Sequence, residues 1–330
     1  MRKGWMLMGC SALSYSTMLS AHVNYSLNDH WSLIGDFVFM RRSEVTPHSL
    51  VKDTHLPQCS SVCPDYTVIS NKDLVNDFDF EPGYRVGLTY MDTPRSSYEI
   101  NYLYLAPWEA EKTAHGDRSL YFFSDADYDH DFVHADRAVA RYSSHYWDVE
   151  FNYWRHFTPR RVDYFSFSGI AGLRYFHLNE AFALTMSTSA NQSSYNIHTE
   201  NSIIGVQLGV DLQVNPMPWF SWEIFAKAGG MANHTEQRQF LGDFNNQVEL
   251  RDSERTKRAI GIFTDVAAQI AFRFKKHYSF HAGYQFLFFS GLALAPGQIS
   301  KKTNSDAGKK DQTQGTAIIH GLFAGIGFTF

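Results

Sequence analysis

The chain lacks any run of residues that could cross a membrane as a helix, for which about 20 predominantly apolar residues are needed. Residues 278 to 300 carry no Lys, Arg, Asp or Glu, but His281, Gln285, Pro296 and Gln298 interrupt them. Residues 313 to 330 are also uncharged and are broken by Gly315, Gly321, Gly325 and Gly327. Charge is scarce, at 19% of the 330 residues, and a net charge of −5 offers no basic footprint for nucleic acid. Catalytic signatures are missing as well: there is no G-x-S-x-G elbow, no Gly-rich phosphate loop and no zinc-ligand spacing. These absences set aside a helical membrane bundle, a nucleic-acid-binding module and the enzyme classes that announce themselves by motif. They also leave no cofactor to assign.

Cysteine is rare, with three residues, and Cys10 lies in a segment that reads as an export leader. Residues 1 to 21 begin with Arg2 and Lys3 and continue uncharged to small residues at Ser20 and Ala21, the layout of a secretory signal. Removing it leaves residues 22 to 330 and an even pair, Cys59 and Cys63, a candidate disulfide in an exported chain. The alternative is two separate thiols.

What the chain has in quantity is aromatic residues and glycine: 27 Phe, 18 Tyr, 7 Trp and 22 Gly. Aromatic side chains fit a pleated surface, and Gly tolerates tight turns and close backbone approach. From Trp31 onward the chain alternates with period two, the signature of half-buried strands. Tyr84, Val86, Leu88 and Tyr90 share one face while Arg85 and Thr89 share the other. Ile204, Val206, Leu208, Val210 and Leu212 likewise alternate with Gln207, Gly209 and Asp211. Ten such segments can be traced, at 31–41, 83–91, 98–104, 147–153, 165–175, 204–212, 219–230, 259–274, 278–289 and 316–330. Each is about as long as a strand that crosses a bilayer at a tilt.

The connections alternate between long polar stretches (42–79, 110–141, 181–200, 233–256, 292–315) and short ones (92–97, 158–163, 214–218, 275–277). Long outer loops and short periplasmic turns are the asymmetry of a bacterial outer-membrane barrel, and an even strand number places both termini in the periplasm. The expected fold is therefore all-β: an antiparallel up-and-down transmembrane barrel of about ten strands, within eight to twelve. Aromatic residues at strand ends suit the two membrane interfaces. Trp31, Tyr153, Trp154, Tyr164, Trp219, Trp222, Tyr278 and Phe330 fall at the periplasmic ends, and Tyr84 and Trp108 at the outer ends.

If Tyr84, Val86, Val149 and Leu208 face lipid, the opposite parity faces the lumen. That assigns Arg85, Glu99, Asp148, Glu150, Arg174, Asp211 and Arg273 to the interior, where charge is tolerated as it is not in hydrocarbon. Mixed charge there suits either a water-filled pore or a salt-bridged plug, and ten strands lie near the narrow end of the range. The cluster Asp127, Asp129, His130 and Asp131 is the best metal candidate, but it lacks the spacing and glycine of a calcium loop and reads as a solvated acidic loop. One enzyme arrangement stays open, a carboxylate–histidine pair at the outer rim made by Asp129 or Asp131 with His145.

Four stretches also carry a family likeness. FEPGYRVGLTY at 80–90, WDVEFNY at 147–153, GLRYF at 172–176 and NSIIGVQLG at 201–209 resemble the Legionella-type major outer-membrane proteins, related to abundant proteins of environmental chlamydiae. The resemblance runs over roughly residues 31 to 330. The closing GIGFTF, with Phe328 and Phe330, resembles the C-terminal signal read by the barrel-insertion machinery. The resemblance implies an abundant barrel surrounded by outer-membrane lipid and lipopolysaccharide, acting as a porin for small hydrophilic solutes and carrying no catalytic set. A non-conducting structural or adhesive surface barrel is the alternative, and an outer-membrane hydrolase a further one.

Overall fold

The computed structural model describes residues 30–44, 49–53, 66–122, 132–158, 164–275, 277–300 and 312–330. Twelve strands form one antiparallel sheet: β1 (Trp31–Glu44), β2 (Ser49–Asp53), β3 (Tyr66–Ser70), β4 (Glu81–Thr93), β5 (Ser96–Tyr121), β6 (Ala135–His156), β7 (Phe165–Ser187), β8 (Gln192–Met217), β9 (Phe220–Asp243), β10 (Val248–Arg273), β11 (Tyr278–Leu292) and β12 (Gly315–Thr329). β1 pairs with β4 on one side and with β12 on the other, so β1 and β4 to β12 close into a ten-stranded barrel. The chain thus has the expected transmembrane up-and-down architecture. The short β2 and β3 lie above the ring, where β2 pairs with the tip of β5. A single helical turn and a half, α1 (Asn71–Asn76), follows β3 and is held by a capping box between Ser70 and Asp73.

The wall is not level. β5 to β10 are 22 to 26 residues long, whereas β1, β4, β11 and β12 have 13 to 15. At one end the hairpins are tight, as at Pro94–Arg95 and Pro218–Trp219. At the other end six strands rise well beyond the 9 to 11 residues that cross a bilayer and form a tall half-cylinder. Two of the long connections expected from sequence are therefore corrected. Residues 181–200 and 233–256 are mostly strand and turn within four residues, 188–191 and 244–247. In the second turn Phe244, Asn245 and Asn246 take left-handed φ of 48°, 58° and 60°, a conformation Asn accepts more readily than most residues. Much of 110–141 is likewise strand, belonging to β5 and β6.

The reason these extensions escape a search for alternation is that their polarity inverts. Along β7 the outward positions run Phe165, Phe167, Ala171, Leu173, Tyr175 and then His177, Asn179, Thr185 and Ser187. Apart from Ile170 and the ion-paired Glu180, the inward positions run Ser166, Ser168, Gly172, Arg174 and then Phe176, Leu178, Phe182, Leu184 and Met186. β8 switches the same way, between Ile203 and Ile204. Side-chain direction keeps its period of two throughout, but the apolar parity changes where lipid gives way to water. Inside the membrane the barrel is apolar outside and polar inside; above it, the raised half has an ordinary apolar core. That core gathers Met40, Trp108, Tyr142, Phe176, Phe182, Tyr195, Phe263 and Phe289.

Two tryptophans assigned to the interface belts are corrected as well. Trp108 is fully buried inside, its Nε1 donating to Met40 O at 3.0 Å, because an irregularity between Leu105 and Trp108 moves the strand out of phase. Trp154 also points inward and is buried. The belts are built instead by outward rings such as Trp31 with Tyr90, Tyr278 with Phe328, and Trp219 with Phe272 at the tight-turn end. Tyr84 with Tyr104, and Trp147 with His177, serve the raised end.

Candidate functional site: the barrel lumen

The barrel interior at membrane level holds a connected network of charge. Arg174 on β7 reaches Asp148 on β6 at 2.5 Å, Glu150 on β6 at 3.2 Å and Asp265 on β10 at 3.2 Å. Lys227 on β9 reaches Glu150 at 2.6 Å and Asp265 at 3.0 Å. Gln285 on β11 donates to Asp265 and accepts from Arg85 on β4, and Arg85 pairs with Asp36 on β1 at 2.5 Å. His281 Nε2 lies 2.6 Å from the other Asp36 oxygen. Gln207 on β8 and Asn152 on β6 donate to Glu150, and Asn152 also donates to Glu99 on β5.

These contacts join nine of the ten ring strands across the lumen, from β1 and β4 through β11, β10, β9, β8, β7 and β6 to β5. β12 contributes the ring of Phe323, 4.5 Å beneath the Arg85 guanidinium. It also contributes Gly325, where a Cβ would overlap Asp36 Oδ1 and Gly35 O. Three permanent cations, Arg85, Arg174 and Lys227, meet four carboxylates, Asp36, Asp148, Glu150 and Asp265, with the His281 imidazole beside one of them. The bridged groups persist when buried because each is paired and hydrogen-bonded, and Glu99, a fifth carboxylate of the network, accepts from the amides of Asn101 and Asn152.

The cavity among these side chains is small. A cavity of about 40 Å³ is lined by Arg85, Glu99, Asp148, Glu150, Lys227 and Gln285 among others, enough for a few waters. Above it Tyr146, Phe176, Phe263 and Phe289 form a layer of rings, with centroids 4.5 Å apart for Phe176 and Phe289 and 5.6 Å for Tyr146 and Phe289. Arg174 lies 5.8 Å from the centroids of both Phe263 and Phe289, so the ring layer rests on the charge layer. Higher still, Arg42 pairs with Glu180 at 2.5 Å in a fully buried bridge.

The connection after β11 turns into the mouth and packs there through a 3₁₀ turn, Ala295–Gln298. It is held by Asn201, which accepts from Ala293 N at 2.8 Å and donates to Ala293 O at 2.9 Å, and by Glu180, which accepts from Ala295 N at 2.8 Å. Gln239 adds a bond to Gln298 O. A charge layer, an aromatic layer and an inserted segment thus occupy successive levels of the barrel.

Of the seven residues placed in the lumen by alternation, Arg85, Glu99, Asp148, Glu150 and Arg174 meet in or beside this network. Asp211 is buried on the inner face of β8, opposite Ser168 in the register. Arg273 lies at the tight-turn rim, bonded to Pro218 O and Asn215. Lys227, His281 and Gln285 are central to the network and were not singled out from the sequence, whereas Gln207 lies on the inner face where the alternation of β8 placed it. Their signal was parity: Lys227 shares the parity of Glu223, and His281 and Gln285 oppose that of Phe280, Tyr284 and Phe286.

On the outer surface Val206 and Leu208 are 63% and 71% exposed, Tyr84 and Val86 are exposed, and Val149 is half-buried among neighbouring rings. Phe328 and Phe330 stack on each other on the exterior at the tight-turn end. His320, an awkward residue for a lipid-facing position, places Nδ1 2.5 Å from the Tyr284 hydroxyl and meets the edge of Phe80, so its polar atom is partnered. His145 also faces outward, edge-on to Tyr104. Residues 1–21, Cys59, Cys63, Asp127, Asp129, His130 and Asp131 lie outside the described residues. Among the described residues no cluster of His, Cys, Asp and Glu is arranged to hold a metal ion.

With this geometry in view, comparison with solved structures gives the fold independent support. The outer membrane protease OmpT from Escherichia coli matches over 94% of this chain and 100% of its own, with a TM-score of 0.51 and 9% identity. The chain has the fold of an outer-membrane β-barrel. The translocator domain of the autotransporter NalP from Neisseria meningitidis covers 92% of this chain and 89% of its own at 7% identity, with a TM-score of 0.38. OprG from Pseudomonas aeruginosa covers 92% and 96% at 8% identity and a TM-score of 0.29. At these identities the likeness is one of architecture, and chemistry has to be read from this chain's own residues. No family model matches the chain, and no curated protein does. Among the described residues no helix is long and apolar enough to cross a membrane.

Proposed function

We propose that this protein is a non-conducting outer-membrane barrel that presents its raised half-cylinder at the cell surface, amid lipopolysaccharide, with both termini on the periplasmic side. The observation that carries this is the lumen. Arg174 and Lys227 bridge carboxylates from facing strands, and the aromatic layer and the inserted 293–299 segment lie above them. Passive diffusion of hydrophilic solutes, the role implied by the Legionella-type resemblance, needs a continuous aqueous path, and the packed interior supports that role less well. A raised wall with an apolar core and a polar exterior suits contact with something outside the cell.

The same reading makes the protein a non-enzyme. The interior histidine that touches hydroxyls, His156, lies between Ser97 at 3.3 Å and Ser168 at 2.9 Å, buried near the tight-turn rim. All three are packed on the inner face of the wall, an arrangement that suits holding the rim together better than receiving a substrate.

The test is conductance across a planar bilayer, using protein that migrates differently on a gel before and after boiling. Folded protein is expected to give no stepwise current. Currents whose ion selectivity changes when Arg85 or Glu150 is neutralised would overturn the proposal in favour of a pore. Orientation is tested separately by a membrane-impermeant thiol label on intact cells in a Cys59→Ser, Cys63→Ser background: Glu111→Cys should react and Pro94→Cys should not.

A further inference from the structure

The tall wall stops abruptly on one side. β11 pairs with β10 only as far as Phe263 opposite Phe289, and among the described residues no strand pairs with that edge of β10 above this point. The backbone N and O of Ile262 are both directed at Ser290 Oγ. Gly291 lies against Ile260 O and Gly261; with period two along the strand, Arg258, Thr256, Glu254 and Asp252 beyond it turn their N–H and C=O groups to the same open edge. The odd-numbered residues serve the β9 ladder, as Lys257 O does in accepting from Thr235 Oγ1. An edge of this kind is a template for an added strand.

Its charge is sided. Arg251, Arg255 and Lys257 share the inner face, opposite Leu241, Gln237 and Thr235 of β9, and form a row of cations along the mouth of the half-cylinder. On the outer face Glu254 is already paired with Arg238 at 3.3 Å. Residues Glu254 to Arg258 are all exposed. Directly across from Arg255, Gln237 is 1% exposed, and neither its amide nitrogen nor its oxygen meets a partner. A buried amide left in this state costs free energy and marks unused hydrogen-bonding capacity beside the row.

We propose that the open edge of β10 receives an extended acidic peptide segment of another protein, which adds as a strand to Asp252–Arg258 and points alternate carboxylates at Arg255 and Lys257. The backbone ladder supplies length and orientation, and the cation row selects carboxylates two residues apart. The proposal deepens the surface-presentation reading, on which it rests for placing this edge outside the cell.

The experiment uses full-length folded barrel in detergent and a fluorescein-labelled nine-residue peptide alternating Glu and Thr, read by anisotropy. A peptide with Lys in place of Glu is the control. The acidic peptide should bind, and less tightly as salt rises. Arg255→Glu should weaken binding by at least about tenfold, the order expected for a lost charge-assisted contact turned repulsive. Thr256→Pro, which removes an edge-facing N–H but leaves the β9 ladder intact, should do the same, while Thr256→Ala should not.

Equal binding by wild type, Arg255→Glu and Thr256→Pro overturns the proposal. So does loss in Arg255→Glu without loss in Thr256→Pro, which would mean attraction without strand addition. Self-association abolished by Thr256→Pro, with no peptide bound, would show the edge pairing with a second copy and also overturn it. Heat-dependent gel mobility confirms that each variant is folded. A conducting barrel would refute the closed lumen and leave the peptide result standing, so the two readings fail separately.

Discussion

Replacing Arg174 by Leu tests whether the lumen network is structural. The guanidinium is 1% exposed and bonds Asp148, Glu150, Asp265 and the Tyr146 hydroxyl. Each carboxylate contact at about 4 Å between charge centres is worth roughly 4 kcal/mol before desolvation at an effective dielectric of about 20. Most of that offsets the cost of taking the guanidinium out of water. Its removal leaves Glu150 and Asp265 sharing Lys227 and leaves buried Asp148 with the Tyr146 hydroxyl but without its bridging cation, and loss of one member of a buried ionic cluster costs about 3–5 kcal/mol. The folded-to-unfolded ratio should then fall by roughly a hundred- to a few thousand-fold, at about 1.4 kcal/mol per factor of ten.

The assay is urea unfolding in detergent micelles followed by tryptophan fluorescence, with Arg141→Ala as the control. Arg141 pairs with Glu111 on the exposed surface, where loss of the bridge should cost under about 1 kcal/mol. A cost below about 1 kcal/mol for Arg174→Leu would refute the claim that these charges clamp the strands together. The variant should also stay non-conducting, because the Tyr146, Phe176, Phe263 and Phe289 layer remains above it.

Val206→Arg puts a charge on the lipid face of β8 and should cost about 2–4 kcal/mol in a lipid refolding equilibrium. Ser202→Arg, two outward positions higher and above the parity switch, should cost little; equal losses would misplace the membrane boundary. Asn201→Ala removes both hydrogen bonds to Ala293, worth about 2 kcal/mol together, and should speed protease cleavage within 293–300 while leaving the ring folded. Unchanged cleavage would mean that the segment is held by packing alone. The Tyr195 hydroxyl, in the raised half, is pushed by burial above its ordinary value of 10.0, with Arg251 opposing. The neutral form is therefore favoured in the folded state, and stability present below pH 10 is lost as pH rises through the folded value. Tyr195→Phe should lessen that alkaline loss in urea melts above pH 10, and an identical pH profile would discount the shift.

The membrane half of this protein was legible because lipid outside and water or paired charge inside impose opposite demands on successive residues. Tyr84 against Arg85, Val206 against Gln207 and Leu173 against Arg174 could be sorted by parity alone, and the number of ring strands followed. The same rule explains what was missed. Above the membrane the apolar parity reverses, so Ile197 and Phe182 sit inside where Val206 and Leu173 would be outside, and long strands read as polar loops. The irregularity at Leu105–Trp108 shifted one tryptophan from the interface to the core, a change of phase that composition does not announce.

What the sequence by itself determined was a barrel of ten crossing strands with charge inside, since both follow from local periodicity and the absence of a spanning helix. Which of those charges meet across the lumen was decided by the tertiary structure. Arg174 and Asp265 are 91 positions apart, and Asp36 and His281 are 245 apart. Alternation fixes only the side of the wall on which a residue lies. The stagger and closure of ten strands decide which carboxylate each cation can reach, and that is a property of the folded ring.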